Sequence, residues 1–250
     1  MSRLSTDQVS DYRKRGFLRV PGLLSTEAVE GLKSELDELL AREDSEAGRR
    51  AARSESFPRQ SSSGRPVRNL VDPIVPHSRC VRRILQSEDI LEPLVSLLGD
   101  EPRLFKDKLI LRPPGTEGYG LHQDYAYYGW TGVPADQMLA LQIAIDDADA
   151  DNGALQLYPG EHQRPLRPTE HDGNDLREDL IASEAELVPT RAGDGLFFHS
   201  LTPHRSGKNR SRRFRRTLYL TYNAASAGDL YRIYYQDRAD VVEPWNEETA

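Results

Sequence analysis

The chain has 250 residues, enough for one sizeable domain with its own core. With 37% hydrophobic and 29% charged residues it reads as a folded protein with a heavily solvated surface, and a net charge of -7 argues against a nucleic-acid partner, because phosphate binding needs a basic footprint. Nothing reads as a membrane span. The lone Cys80 excludes an internal disulfide, and no charged segment followed by an apolar run opens the chain, so a reducing cytoplasm is the expected location.

In chain order, the opening reads as helix, short strand, helix: Asp7 to Arg15 is polar and helix-prone, Phe17 to Val20 is a short extended strand, and Pro21-Gly22 marks a turn. A second helix starts after Ser25 or Thr26, with Val29, Leu32, Leu36, Leu39 and Leu40 at helical spacing and a Ser/Thr cap. Residues 42–68 turn to Arg, Ser, Glu and Gly and predict a mobile loop. Helical periodicity returns over Val81 to Leu85 and Ile90 to Leu98, ending at Gly99. From Leu104 the period becomes alternating. Strands are expected at Leu104 to Leu111, Met138 to Ile145, Ala154 to Tyr158, Glu186 to Pro189, Leu196 to His199, Phe214 to Asn223 and Leu230 to Tyr235, with Asn152-Gly153 as a hairpin turn. Residues 1–250 therefore predict a single, mainly β domain. It would have a mainly helical part over 1–100 and a jelly-roll core over 104–237, with the N-terminal helices packed on the outer face of that core.

His122-Gln123-Asp124 is the first motif with chemical content. In a strand, residues two apart face the same way, so His122 and Asp124 can both point inward while Gln123 points away. The bland reading is a surface pair, since His-x-Asp is common by chance. Two imidazoles and one carboxylate, however, can hold a ferrous ion on one face and leave positions free for a co-substrate and dioxygen. A guanidinium nearby can grip a carboxylate through two parallel hydrogen bonds.

The second segment runs from His204 through Arg205-Ser206-Gly207-Lys208-Asn209 to Arg215, eleven residues beyond His204, and leads into the alternating strand. Here the sequence resembles the phytanoyl-CoA dioxygenase family, whose members carry a His-x-Asp pair, a distal His followed by a Ser-Gly-x-Asn-like turn, and an Arg at that spacing. Asp151-Asn152-Gly153-Ala154-Leu155, Pro159-Gly160-Glu161-His162 (with Glu161 in place of Ser), the lead-in from Leu104 to Gly115 and the Gly16-Phe17 segment are similar too, so the resemblance spans nearly the whole chain outside 42–68. It implies a double-stranded β-helix (jelly-roll, cupin-like) core and an Fe(II)- and 2-oxoglutarate-dependent oxygenase that uses dioxygen. His122, Asp124 and His204 would be the iron ligands, and Arg215 would bind the distal carboxylate of 2-oxoglutarate, assisted by Thr217 on the same strand face. Gln142 matches a position that lines the co-substrate pocket, although the name-giving enzyme has Trp there. Asp124 occupies the place where related halogenating enzymes carry a small residue, which favours hydroxylation and leaves desaturation or epoxidation open.

Other residues stay open between roles. Lys108 and Arg112, on one face of the strand ahead of the first ligand, could reach a substrate acid or the co-substrate, or be surface charges. Tyr125, Tyr127 and Trp130 could contact substrate or fill the barrel mouth. His199 competes with His204 as distal ligand, but its packed, hydrogen-bonded reading fits better; His162, His171 and His77 read as solvated loop residues. The six Arg and one Lys between Arg205 and Arg216 read as a solvated turn, with one or two of these cations as candidates for steering an anion. The expected substrate is a small polar or anionic metabolite or natural-product intermediate. A non-catalytic jelly-roll binding protein and a zinc-dependent hydrolase with the same ligands are the alternatives. Nothing in the sequence sets the oligomeric state.

Overall fold

A computed structural model describes residues 4–41, 70–164 and 176–236. The expected loop at 42–68 and His171 lie outside these residues. Two antiparallel sheets carry the structure. The larger has the strand order β1-β7-β4-β9-β3-β2, built from β1 (Phe17–Val20), β2 (Leu70–Val71), β3 (Pro102–Arg112), β4 (Met138–Ala144), β7 (Gly195–His199) and β9 (Arg215–Ala224). The smaller has the order β6-β5-β8, from β5 (Leu155–Leu157), β6 (Glu186–Val188) and β8 (His204–Ser206).

Helices α1 (Thr6–Arg15), α2 (Thr26–Ala41), α3 (Arg79–Leu85), α4 (Glu88–Leu98) and α5 (Tyr231–Gln236) occupy about as much of the described chain as the strands. The molecule is therefore mixed α and β rather than mainly β. The helix signals operate as the sequence implied. The Ser25 hydroxyl accepts from the Ala28 amide at the start of α2, and Gly99 ends α4 in the left-handed conformation; α1 has in addition a reciprocal capping box of Ser5 and Gln8, which sequence reasoning passes over.

Alternation decides what each sheet face meets. Leu109 and Leu111 of β3, Leu139, Leu141 and Ile143 of β4, Phe197 of β7 and Leu218 and Leu220 of β9 pack in one buried cluster with Val29, Leu32 and Leu36 of α2, Val81 and Ile84 of α3, and Ile90 and Leu94 of α4. The opposite face of the same strands sends Ala140, Leu196 and Phe198 against Leu155, Leu157 and Val188 of the smaller sheet. The helices thus cover the outer face of the large sheet, and polar residues of its inner face are free to form a site between the sheets.

Three expectations need correction. Leu230 to Tyr235 is not a strand: Tyr231, Tyr234 and Tyr235 are spaced for one helical face, and α5 presents them to a cluster with Phe105, Tyr128 and Met138. The β-propensity of Tyr and Ile masks that spacing. Asn152-Gly153 is not a hairpin turn, because β4 and β5 belong to different sheets; the turn carries the chain across between them, with the Asn152 side chain accepting from the Asp149 amide and donating to the Asp147 carbonyl. The sheet also does not begin at Leu104. The short strand expected at Phe17–Val20 is present, but it joins the sheet, pairing with β7 to form one edge.

Candidate metal and co-substrate site

His122 is not in a strand. A single bridge pairs it with His204, whose amide donates to the His122 carbonyl at 2.9 Å while the His122 amide returns the bond at 3.0 Å. Gln123 is extended, and Asp124 opens a 3-10 turn, so the two ligand candidates are brought together by one extended residue and a turn. Gln123 is itself buried and donates to the Leu201 carbonyl at 2.6 Å, which locks the segment. The ligand atoms of His122, Asp124 and His204 all lie within 4.8 Å of one another, with Asp124 Oδ1 at 3.7 Å from His122 Nε2 and 3.9 Å from His204 Nε2.

The donor set fits a divalent metal. His122 Nδ1 lies 2.8 Å from the Gly120 carbonyl, and His204 Nδ1 lies 3.0 Å from the Thr202 carbonyl. Each contact places a proton on Nδ1 and turns Nε2, the nitrogen available to a metal, toward the common centre. Burial alone would raise the Asp124 carboxyl, but the facing imidazoles of His122 and His204 outweigh it and hold the group well below the usual carboxylate range. His204 is pushed down to about 4, first by burial and then by His122, so it is neutral at physiological pH. Two imidazole nitrogens and one carboxylate on one side leave the other side of a metal open.

The inner face of β9 extends the site. Arg215 is 1% exposed, its Nη1 donates to the Gly153 carbonyl at 2.6 Å, and its Nε has no partner among the described residues. Burial pulls its guanidinium below the ordinary value, with Tyr219 and Tyr119 partly offsetting that. No carboxylate among the described residues lies within ion-pair distance. A buried charge in this condition costs several kcal/mol, of the order expected when one partner of an ion pair is missing, and an arriving carboxylate removes that cost. Thr217 is buried beside it on the same face. Two residues further, Tyr219 stands opposite Gln142 of β4 and Lys108 of β3. The Tyr219 hydroxyl donates to Gln142 Oε1 at 3.3 Å, and Lys108 Nζ lies 5.4 Å from the Tyr219 ring, where its charge is felt by Asp124 and His204.

Arg112, opposite Arg215 in register, is neither a surface charge nor aimed outward. It is 1% exposed and donates to the Ser206 hydroxyl and to the carbonyls of Glu117 and Gly207. The aromatic segment divides: Tyr127 is half-exposed with its ring edge-on to His122 at 5.9 Å, Trp130 is exposed, and Tyr125 turns toward the Phe105–Tyr128 cluster with its hydroxyl on the Val133 carbonyl.

His199 is packed and hydrogen-bonded outside the triad, its Nδ1 accepting from the Leu201 amide. His162 is not a solvated loop residue: it is 8% exposed, packs against Gly16 and contacts the Arg13 carbonyl. The Arg-rich turn is likewise less free than expected, because Arg205 pairs with Glu178, Lys208 with Glu117, Arg213 with Asp149 and Arg216 with Asp146 and Asp37. Those acids are remote in sequence, so only the fold shows the pairing. Sequence reasoning also passes over Tyr219, whose place on the Arg215 face is its one signal, and the carbonyls of Gly120 and Thr202, which carry no residue-type signal at all.

Three converging donors beside a desolvated guanidinium suit a redox metal used together with a diacid, and in a two-sheet antiparallel fold that combination defines the Fe(II)- and 2-oxoglutarate-dependent oxygenases. The phytanoyl-CoA dioxygenase family model matches residues 12–217, and the chain belongs to that family. It is 33% identical over 236 residues to the methylphosphonate hydroxylase of Gimesia maris, covering 94% of this chain and 86% of that one. It is also 25% identical to a 2-aminoethylphosphonate dioxygenase from an uncultured bacterium, over 98% and 91% of the two chains. Among crystal structures, the non-heme alpha-ketoglutarate-dependent epimerase SnoN from nogalamycin biosynthesis superposes with a TM-score of 0.69 at 26% identity, covering 88% of this chain and 82% of that one. The enzyme is thus an Fe(II)/2-oxoglutarate-dependent dioxygenase, which replaces both the zinc-hydrolase and the non-catalytic readings. Ferrous iron, bound with 2-oxoglutarate and dioxygen, supplies the oxidation of a C–H bond, with succinate and carbon dioxide as co-products.

Proposed function

We propose that this oxygenase hydroxylates a C–H bond of a small anionic metabolite and that its substrate is an organophosphonate. Lys108 carries the proposal. In a chain of net charge -7, this ammonium lies on the inner face over the Tyr219 ring at 5.4 Å, beyond ion-pair distance of any carboxylate among the described residues, yet near enough for its charge to act on Asp124 and His204. A cation placed there attracts an anion to within reach of the metal centre. The two phosphonate-oxidising relatives support the same substrate class.

In this reading His122, Asp124 and His204 hold the iron. Arg215, with Thr217 beside it, grips the distal carboxylate of 2-oxoglutarate, and Gln142, oriented by Tyr219, borders the co-substrate. Lys108 takes the substrate anion, while Tyr127 and Trp130 flank the mouth. Positioning of the target C–H, rather than acid–base power of the side chains, sets the product. Atoms balance as substrate-H, 2-oxoglutarate and dioxygen giving substrate-OH, succinate and carbon dioxide. We further infer that the two sheets close as a double-stranded β-helix in one domain, and that the protein works in the cytoplasm without a nucleic-acid partner. No helix among the described residues is long and apolar enough to cross a membrane.

The test is succinate and product formation by the Fe(II)-loaded enzyme with methylphosphonate, 2-aminoethylphosphonate and neutral compounds of similar size. Phosphonate-dependent succinate is expected, with Lys108→Met raising the phosphonate KM about tenfold, the value of a modest charge-assisted contact, and leaving the 2-oxoglutarate KM unchanged. Coupled turnover confined to neutral compounds, or the opposite KM split, would remove the proposal.

A further inference from the structure

Arg112 lies deep in the same interior as Arg215, yet it faces carbonyls rather than open space. Its Nη1 donates to the Ser206 hydroxyl at 2.8 Å, and its Nη2 donates to the Glu117 carbonyl at 3.0 Å and the Gly207 carbonyl at 2.6 Å. Those acceptors belong to two different stretches of chain. Glu117 lies on the run that delivers His122, while Ser206 and Gly207 come just after His204.

The same two stretches are joined around the guanidinium. The Tyr119 amide donates to the Ser206 hydroxyl at 3.0 Å, and the Ser206 amide donates to the Tyr119 carbonyl at 3.1 Å. Gly118 is pressed so closely on this seam that a Cβ there would lie 1.7 Å from the Ser206 carbonyl oxygen. On the other side, a Cβ on Gly153 would lie 2.4 Å from the Gly207 oxygen and 3.4 Å from Arg112 Nη2, and Gly153 gives its own carbonyl to Arg215. One guanidinium therefore holds the arm of the first ligand to the arm of the distal ligand, and the Gly207 carbonyl it binds is the one that closes on the turn seating the co-substrate arginine.

We propose that Arg112 is a positioning residue that sets the spacing between the His122 and His204 arms and the seating of Arg215. It acts through backbone, not by contact with substrate. A rigid fork of donors meets three acceptors at once, whereas a lysine offers a single nitrogen from a flexible stem. The inference rests on His122, Asp124 and His204 being the metal ligands.

The test compares wild type, Arg112→Lys and Arg112→Gln by anaerobic Fe(II) titration and by the visible charge-transfer absorption formed when 2-oxoglutarate is added to the Fe(II) protein. Asp107→Asn, a buried substitution on the outer face, is the control for general destabilisation. Expected results are Fe(II) affinity at least tenfold weaker and a displaced or weakened absorption band in Arg112→Gln, a partial return in Arg112→Lys, and no change of either in Asp107→Asn. If Arg112→Gln does not fold, Arg112→Lys decides by the same two readouts. Wild-type affinity and band in the folded Arg112 variants overturn the inference, as does an equal loss in Asp107→Asn. Absence of Fe(II) binding by wild type would instead overturn the metal assignment itself, and the inference with it.

Discussion

His122 and His204 each place Nδ1 against a backbone carbonyl, so neither ring can turn its Nε2 away from Asp124 without breaking a hydrogen bond. Replacing His122 with Ala should abolish iron binding in anaerobic titration and reduce succinate formation by at least about a hundredfold, consistent with loss of one of three ligands. Arg215→Gln should raise the 2-oxoglutarate KM by about ten- to a hundredfold, or roughly 1.5–3 kcal/mol for a charge-assisted pair, while metal affinity stays near wild type; initial rates against 2-oxoglutarate concentration check this. His199 gives a pH signature separate from the metal. Burial, followed by His162, pushes it down to about 4, against about 6.5 in an unfolded chain. The unfolded state therefore binds the extra proton first, so the stabilisation is full above pH 6.5 and is lost as pH falls toward 4. Urea melts of the metal-free protein across that window should show His199→Gln with a shallower pH dependence than wild type.

Elements position these residues through contacts that differ in how visible they are beforehand. The run of alternating residues in β9 announces both its strand and its inner face, and the helical spacing of α2 announces the face it buries. The His-x-Asp segment is legible as a ligand pair but not as a turn, since one extended residue followed by a 3-10 turn brings the same two side chains together as a strand would. Helix α5 reads as a strand because its aromatic content outweighs its spacing. Its role is to latch onto Asp107, whose carboxylate accepts from the Ile74 and Val75 amides and from the Tyr231 hydroxyl. Asp107→Ala should cost about 2–4 kcal/mol in denaturant unfolding, because buried donors lose their acceptor. At the crossover turn, Gly153 has φ +80° and no room for a side chain. Gly153→Ala should lower stability by about 1–3 kcal/mol and weaken 2-oxoglutarate binding, since it would displace the carbonyl that holds Arg215.

At the scale of the whole molecule, composition foretells a charged exterior, but not the partners of the individual charges. The ion pairs of Arg205, Lys208, Arg213 and Arg216 join segments far apart in sequence, and no local pattern encodes them. The division of labour across the large sheet is encoded, and β9 carries its consequence. Arg215, Thr217 and Tyr219 look one way, toward the chemistry, while Leu218 and Leu220 look the other way, into oil under the helices. Removing a single residue near the start of that strand would exchange the two sets downstream of the cut, sending leucines to the reaction chamber and hydroxyls into the hydrocarbon. Catalysis and folding are written on alternate letters of one line of text, so a frame slip there garbles both messages together.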